Sequence, residues 1–436
     1  MIRFPRLWLG FVAISALGPL TVSCGGGSRP TQPDPTAALS HELELDREDG
    51  LPIEPNGLRP KTPVPAGQNA ATLYAGVFPH VRELFKTHET FEAEWGHLSK
   101  GATTAAERED LEAVLASQQG IIDQLVTASK IPTCDFGFAY ENGLATLYPQ
   151  FADSKKAVKL LCADAHLEAE AGRTARAYDL MAAADALGRQ VGQTPTLIAA
   201  LVEIAIDQIC LKEFSHVLDL SRSQALLEKA RQTLDGFSPL ASLRNSFRGE
   251  FVLGLVSLKK VKSFADVGKL PPGMTTVPIA EISKMPSPLP DSVQKDMQIK
   301  YIQTWRKIME ATPADPAQWQ EASKALRSIN DAILADRSVE NLMTQIMVCP
   351  LGDAADAIGR EQASRNLAAT AIQLIEIRLK TGSYPASLPA GPTSLDPFDG
   401  QPLRYRRKGS GFTIYSIDRN LKDDGGGRGD LALAFR

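Results

Sequence analysis

The end of the chain combines carboxylates and glycines in a short segment suited to binding a cation. The segment YSIDRNLKDDGGGRGD has four aspartates and four glycines between Asp418 and Asp430. Calcium takes about six to eight oxygen ligands in a flexible loop, and glycines let backbone carbonyls turn inward. The spacing predicts a calcium site with ligands from Asp418, Asn420, Asp423, Asp424 and Asp430. The alternative is a solvated acidic turn that holds no metal.

Three short motifs raise the question of catalysis. The chain contains S-x-x-K at Ser257, S-x-N at Ser328 and K-T-G at Lys380. This is the order found in penicillin-binding proteins and serine β-lactamases. However, K-T-G belongs on a core strand in those enzymes, and here it ends a helical pattern. The motifs therefore assign no catalytic residue, and a cell-envelope hydrolase with its site in the helical body is kept as an alternative.

The histidines and cysteines form no metal-binding motif. No histidine pair has H-E-x-x-H spacing, so His166 and His216 are predicted to be helical surface or satisfied core residues. The four cysteines that follow Cys24 also lack C-x-x-C spacing. Four cysteines allow three pairings, and buried free thiols are an equal alternative. These four are Cys134, Cys162, Cys210 and Cys349.

The N-terminus carries an export signal. Arg3 and Arg6 precede an apolar run, Leu7 to Val22, which ends at TVSC. A run of this length is typical of a secretory signal and short for a bilayer span. It resembles a bacterial lipoprotein signal, which implies that Cys24 carries a lipid after cleavage. Gly25 implies the outer membrane, on the side that faces the periplasm. An ordinary signal peptide or a signal anchor is the alternative.

The composition bounds the class of protein. The chain has 436 residues, a net charge of −4 and 43% hydrophobic residues. It is long enough for about two domains with a substantial core. No basic stripe with interleaved aromatic residues is present, which argues against nucleic acid as a partner.

The chain divides into four parts by composition. Residues 1–24 are the signal and its lipidation cysteine, and residues 25–68 read as a disordered linker rich in Pro, Gly, Ser and Thr. Residues 69–355 form a helical domain interrupted by a Pro-rich loop at 269–291. Residues 356–436 form a separate C-terminal module.

Hydrophobic periodicity predicts a mainly α fold. Two apolar helical patterns, beginning near Gly172 and Thr194, are joined by GQTP and predict an antiparallel hairpin inside an irregular helical bundle or array. Near the C-terminus, an amphipathic helix ends at Gly382 and is followed by the β-type segments PLRYRR and GFTIYSID. We therefore expect a small α+β module with an antiparallel sheet.

Residues 360–436 carry a family resemblance. A helix is followed in order by GSYPASL, DPFDGQPLRY and the Asp/Gly loop. This order resembles the globular head of the type II secretion major pseudopilin, and the resemblance implies calcium in the loop. The chain departs from that family because a helical body precedes the head. That body in turn resembles large envelope proteins of planctomycete-like bacteria.

These observations predict a non-enzymatic, membrane-tethered envelope protein. The lipid on Cys24 would hold a helical body near the membrane, and the C-terminal module would be stabilised by calcium. Envelope or secretion proteins are the expected partners. The alternatives are the hydrolase above and a secretion-system accessory that docks through its pseudopilin-like head.

Overall fold

The computed structural model describes residues 34–220, 223–234, 239–263, 288–312, 319–348 and 350–435. Three predictions lie wholly or mostly outside these ranges: the signal with Cys24, the Pro-rich loop at 269–291, and Cys349.

The described chain is mainly helical, as predicted. Helices of its first half are α1 (Pro35–Glu48), α2 (Ala70–Thr87), α3 (Phe91–Leu98), α4 (Ala105–Ser117), α5 (Gln119–Ser129), α6 (Pro149–Glu170) and α7 (Thr174–Gly192). The others are α8 (Leu197–Leu220), α9 (Gln224–Leu234), α10 (Pro239–Lys260), α11 (Asp291–Glu310), α12 (Trp319–Ala335), α13 (Leu342–Met347) and α14 (Leu351–Thr381). Within the ranges that the structure covers, no helix is long and apolar enough to cross a membrane.

Helices α6, α7 and α8 all pack on one another and form the centre of the bundle. The predicted hairpin is confirmed as α7 and α8. Its second helix begins at Leu197 rather than near Thr194, because the Thr196 hydroxyl caps it by accepting the Ala199 N–H at 3.3 Å. Gly188 lies within α7, where the close approach of α8 favours glycine. A Cβ at this position would lie 2.8 Å from the Ile206 side chain.

The prediction of a disordered linker over 25–68 is wrong for its described part. Helix α1 packs along α11, and Leu39 and Leu43 contact the hydrophobic core. Arg306 on α11 binds Glu42 at 2.8 Å and the buried Asp46 at 2.9 Å. The composition of the segment did not predict this helix. Its acidic residues are stabilised by Arg306, which is distant in sequence, and composition carries no information on that contact.

Helix α14 is longer than the predicted C-terminal helix. It begins at Leu351, so it runs through the expected boundary between residues 355 and 356. It packs against α8, α9, α10 and α12. The C-terminal module is therefore joined to the helical bundle by a continuous, largely buried helix.

The three-stranded antiparallel sheet lies on α14. Its strands are β1 (Arg404–Lys408), β2 (Gly411–Ser416) and β3 (Leu431–Phe435), in the order β1-β2-β3. Tyr405 pairs with Ile414, and Ile414 pairs with Leu433. The prediction of a small antiparallel sheet is confirmed, while β3 was not anticipated. The Asp/Gly loop connects β2 to β3.

Candidate metal centre

The predicted calcium ligands form a loop that is closed by its own hydrogen bonds. Asp430 accepts the backbone N–H groups of Asp424 at 3.3 Å and Gly426 at 2.7 Å. Asp423 accepts the Tyr415 hydroxyl at 3.1 Å, and Asn420 donates to the Asp424 carboxylate at 3.0 Å. These hydrogen bonds hold the loop in a closed conformation.

Asp418 forms an ion pair with helix α14. Its carboxylate binds Arg360 of α14 at 3.1 Å, and its backbone is left-handed with a φ of 56°. Asp396 holds the start of the same loop in place. Its carboxylate accepts hydrogen bonds from the Ser416 hydroxyl and the Ile417 N–H, at 2.9 Å each. Asp396 is fully buried and was not among the predicted site residues. Calcium binding by this loop stays a prediction.

Three residues of the hydrolase motifs have structural partners. The Ser257 hydroxyl accepts the Leu144 N–H at 2.9 Å, and Lys260 donates to the Glu141 carbonyl at 2.6 Å. Asn330 accepts the Leu351 N–H at 3.3 Å. The geometry therefore gives these side chains roles in packing the helices.

A different cluster brings metal-binding side chains together. His166 lies on α6, while Glu213 and His216 lie three residues apart on α8 and therefore on one face of that helix. One ligand atom from each residue lies within 4.8 Å of the other two. Throughout the described chain, this is the only group of three or more His, Cys, Asp or Glu residues that meets this criterion.

The contacts within the cluster are close. His166 Nδ1 lies 2.6 Å from Glu213 Oε1. The rings of His166 and His216 are stacked, with centroids 3.7 Å apart and planes inclined by 7°. His216 Nε2 is buried and has no hydrogen-bond partner. A buried ring nitrogen without a partner is costly in a folded protein, so this atom is available to bind a ligand.

The electrostatics favour neutral imidazole at His216. Burial and the neighbouring His166 lower the pKa of His216, and the nearby carboxylates of Glu213, Glu170 and Asp219 only partly oppose this. Neutral imidazole is the form that binds metals. His166 and Glu213 are almost fully buried, with 1% and 2% of each residue exposed. Charge on these two residues is therefore weakly screened by solvent.

Glu170 is a further carboxylate next to the cluster. It follows His166 by one turn of α6, and its Oε1 lies 3.6 Å from His166 Nε2. Its other oxygen binds Arg108 of α4 at 2.7 Å, and Arg108 also binds Glu112 at 2.9 Å. Burial alone would raise the pKa of Glu170, but Arg108 and the two histidines lower it, so the carboxylate is ionised.

The donor set fits a transition metal of the zinc type. Two imidazoles and one carboxylate are borderline ligands that suit zinc, whereas calcium takes oxygen donors. Ligand atoms on one tetrahedral zinc lie about 3.4 Å apart at bond lengths of about 2.1 Å. The ligand atoms lie within 4.8 Å of one another, but a metal lies close to the plane of each imidazole that binds it, so the stacked rings of His166 and His216 would have to rotate out of their parallel arrangement to bind one ion.

No protein-family model matches the chain, and no curated protein or solved structure shows a significant similarity to it. The resemblance of residues 360–436 to the pseudopilin head stays a prediction.

A buried charge network lies next to the cluster and fixes α14 to the hairpin. Arg365 of α14 binds Asp207 of α8 at 2.7 Å, Asp185 of α7 at 3.3 Å and Glu361 at 2.8 Å. Burial and the charge of Asp207 raise the pKa of Glu361 well above its usual range. Beside this network lies a cavity of about 20 Å³, enough for one water molecule.

The α6–α8 interface next to the metal ligands also contains two free cysteines. Cys162 and Cys210 form a hydrogen-bonded pair, which raises the pKa of Cys210 together with its burial. They precede His166 and Glu213 by about one turn on the same two helices. The expectation of buried free thiols is met at Cys134, Cys162 and Cys210.

The sequence did not predict the cluster, because His166 and Glu213 are 47 residues apart along the chain. The H-E-x-x-H search requires both histidines on one helix, whereas here each histidine comes from a different helix. The available signal was E-x-x-H at Glu213 and His216, together with H-x-x-x-E at His166 and Glu170. Helix pairs that place Glu-x-x-His motifs inward are a known way to build metal sites in bundles.

Proposed function

We propose that the protein binds a divalent transition metal of the zinc type in its helical bundle, in a non-enzymatic role. His166, Glu213 and His216 are the ligands. The observation that carries this proposal is the convergence of their ligand atoms within 4.8 Å, with His216 Nε2 buried and without a partner.

The charge of the cluster supports a divalent cation. With both imidazoles neutral, Glu213 and Glu170 give the cluster two negative charges, of which Arg108 compensates one. For a divalent ion to bind His166 Nδ1 and Glu213 Oε1, the His166 proton would have to lie on Nε2, which faces Glu170, and His216 Nε2 would bind the same ion. Each ligand must bind through a deprotonated atom, so metal binding competes with protons.

Burial favours a structural or sensing role over catalysis. Two histidines and one glutamate also form catalytic zinc sites, but those keep an open position for water and substrate. Here His166 and Glu213 are buried between packed helices. A bound ion would crosslink α6 to α8 and stabilise the bundle in its folded state.

The location is proposed from the sequence signal. The run that ends at Cys24 supports a lipid anchor in the cell envelope, at the outer membrane facing the periplasm. In this proposal the bundle is held near the membrane by that lipid, where it responds to metal supply.

Titration of the purified, metal-free full chain with zinc tests the proposal. We expect one tight site and a higher melting temperature in the presence of zinc. By mass action, a free zinc concentration of 100 times the Kd adds about 2.7 kcal/mol to the free energy of unfolding. His216→Asn removes a proposed ligand at a half-buried position. It should weaken zinc binding by about 100-fold or more, because loss of a residue that only supports a metal ligand already costs about 10- to 100-fold.

His80→Asn is the matched control. It makes the same substitution at an exposed histidine on α2, outside the cluster, and should leave zinc binding unchanged. Equal zinc affinity in His216→Asn and the parent protein would sink the proposal.

A further inference from the structure

We infer that a cleft distant in sequence from the metal ligands binds a small anionic molecule, with a carboxylate or phosphate group held by Arg248. The cleft has a volume of about 240 Å³ and opens between the segment Pro52–Pro60, the loop Thr133–Tyr140, the α7–α8 turn and helix α10. None of the metal-cluster residues lines it. Its volume is just below that of drug-sized ligand sites, which suits a small metabolite.

Arg248 is the cation of this cleft with unused hydrogen-bonding capacity. It is half-buried on α10, and its guanidinium donates to the Gly50 carbonyl at a long distance of 3.4 Å. No carboxylate of the described ranges lies within ion-pair distance of it. A guanidinium has five N–H donors in a planar fork that matches a carboxylate or a phosphate.

The other two charged residues that line the cleft each have a partner, a carboxylate for Arg59 and a backbone N–H group for Asp135. Arg59 binds both oxygens of Glu141, at 2.7 and 2.8 Å. Asp135 caps the loop, because its carboxylate accepts the Gly137 N–H at 2.9 Å. An incoming anion therefore meets Arg248 as the available cation.

Two neutral groups add donors to the same cleft. Thr194 is a buried residue, with 5% exposed, yet its hydroxyl has no side-chain hydrogen bond within the described chain and is not sealed from solvent. The half-buried Asn245, on α10 three residues before Arg248, likewise has no side-chain partner there. These side chains have no hydrogen-bond partner within the described part of the protein, so water satisfies them in the free state. A polar ligand in the cleft would replace that water and accept or donate the same hydrogen bonds.

The test uses inorganic phosphate and succinate as probes, with the full chain and at constant ionic strength. We expect millimolar concentrations of one of them to raise the melting temperature. Arg248→Gln should weaken that binding by about 10- to 100-fold, the range for loss of a charged hydrogen-bonding group. Preference for phosphate or for succinate then identifies the anionic group of the natural ligand.

Two further variants separate the cleft from general charge effects. Arg337→Gln removes the same charge at an exposed arginine outside the cleft and should bind the probe as the parent protein does. Thr194→Val keeps the charge and the shape but removes the hydroxyl, and should weaken binding about tenfold. No shift with either anion, or an equal shift in the parent protein and Arg248→Gln, overturns the inference. It stands independently of zinc binding, since no variant touches the metal ligands.

Discussion

His166 and His216 stack face to face between helices α6 and α8, with ring centroids 3.7 Å apart. Two imidazolium cations at this distance would repel each other strongly in a buried site, and His166 contributes to lowering the pKa of His216. The pair is therefore sensitive to anything that changes its charge, whether a proton or a metal ion. The proposed zinc site uses this relationship, because zinc and protons compete for the same nitrogens.

Zinc affinity should fall as the pH is lowered. The pKa of His216 lies below its ordinary value of about 6.5, so its ring stays neutral and able to bind metal to somewhat more acidic pH. We expect nearly constant affinity down to about pH 6.5 and a steep loss below it. Competition titrations with a chelator of known affinity at several pH values measure this. Affinity that is the same at pH 5 and pH 7.5 would exclude histidine ligands.

Removing Arg108 should strengthen zinc binding. Arg108 holds Glu170 at 2.7 Å, so Arg108→Ala frees a carboxylate that lies 3.6 Å from His166. Exposed ion pairs contribute up to about 1 kcal/mol, which corresponds to a gain in affinity of up to about fivefold. Arg173→Ala is the control, since Arg173 binds Glu168 rather than the cluster. An unchanged zinc affinity in Arg108→Ala would show that Glu170 does not reach the ion.

The main folding pattern was readable from the sequence, while the site was not. The α7–α8 hairpin followed from apolar periodicity and the short GQTP turn, because both signals are local. Helix α1 was missed because its stability depends on Arg306, which is 260 residues from Asp46. The cluster of His166 with Glu213 was missed for the same reason, since the packing of α6 on α8 decides which side chains meet.

Arg365→Met should destabilise the fold strongly. The substitution leaves Asp207 and Glu361 buried without their cation, while Asp185 keeps its ion pair with Arg189, and breaking such a network costs about 3–5 kcal/mol. Arg327→Met makes the same change in the half-exposed pair with Asp356, where the cost should stay below about 1 kcal/mol. Urea unfolding of both variants compares them. Equal stability of Arg365→Met and the parent protein would mean that the network contributes nothing net.

Glu203 should make the fold less stable at alkaline pH. Burial and the charge of Asp207 raise the pKa of Glu203 to about 8. The folded state thus holds a proton that the unfolded chain releases near its ordinary pKa of about 4.3. That contribution to stability is complete below pH 4 and is lost as the pH rises through about 8. Unfolding free energies between pH 5 and pH 9 should decline in the parent protein and decline less in Glu203→Gln. Parallel pH profiles for the two proteins would refute the assignment.

The C-terminal loop gives a separate prediction on calcium. Asp430 accepts two backbone N–H groups, so Asp430→Ala should destabilise the module by about 1–3 kcal/mol with or without an ion. If calcium binds as the sequence predicts, millimolar calcium raises the melting temperature of the parent protein, and Asp430→Ala removes the rise. Absence of any calcium effect on the parent protein would leave the loop as a hydrogen-bonded turn.

Anomalous diffraction at the zinc edge, from crystals of the zinc-loaded protein, tests the central claim most directly. The account predicts one strong peak between α6 and α8, at about 2.0–2.2 Å from a ring nitrogen of His166, from His216 Nε2 and from a carboxylate oxygen of Glu213. A difference map with no peak at these three residues, while zinc occupies another site, would contradict it.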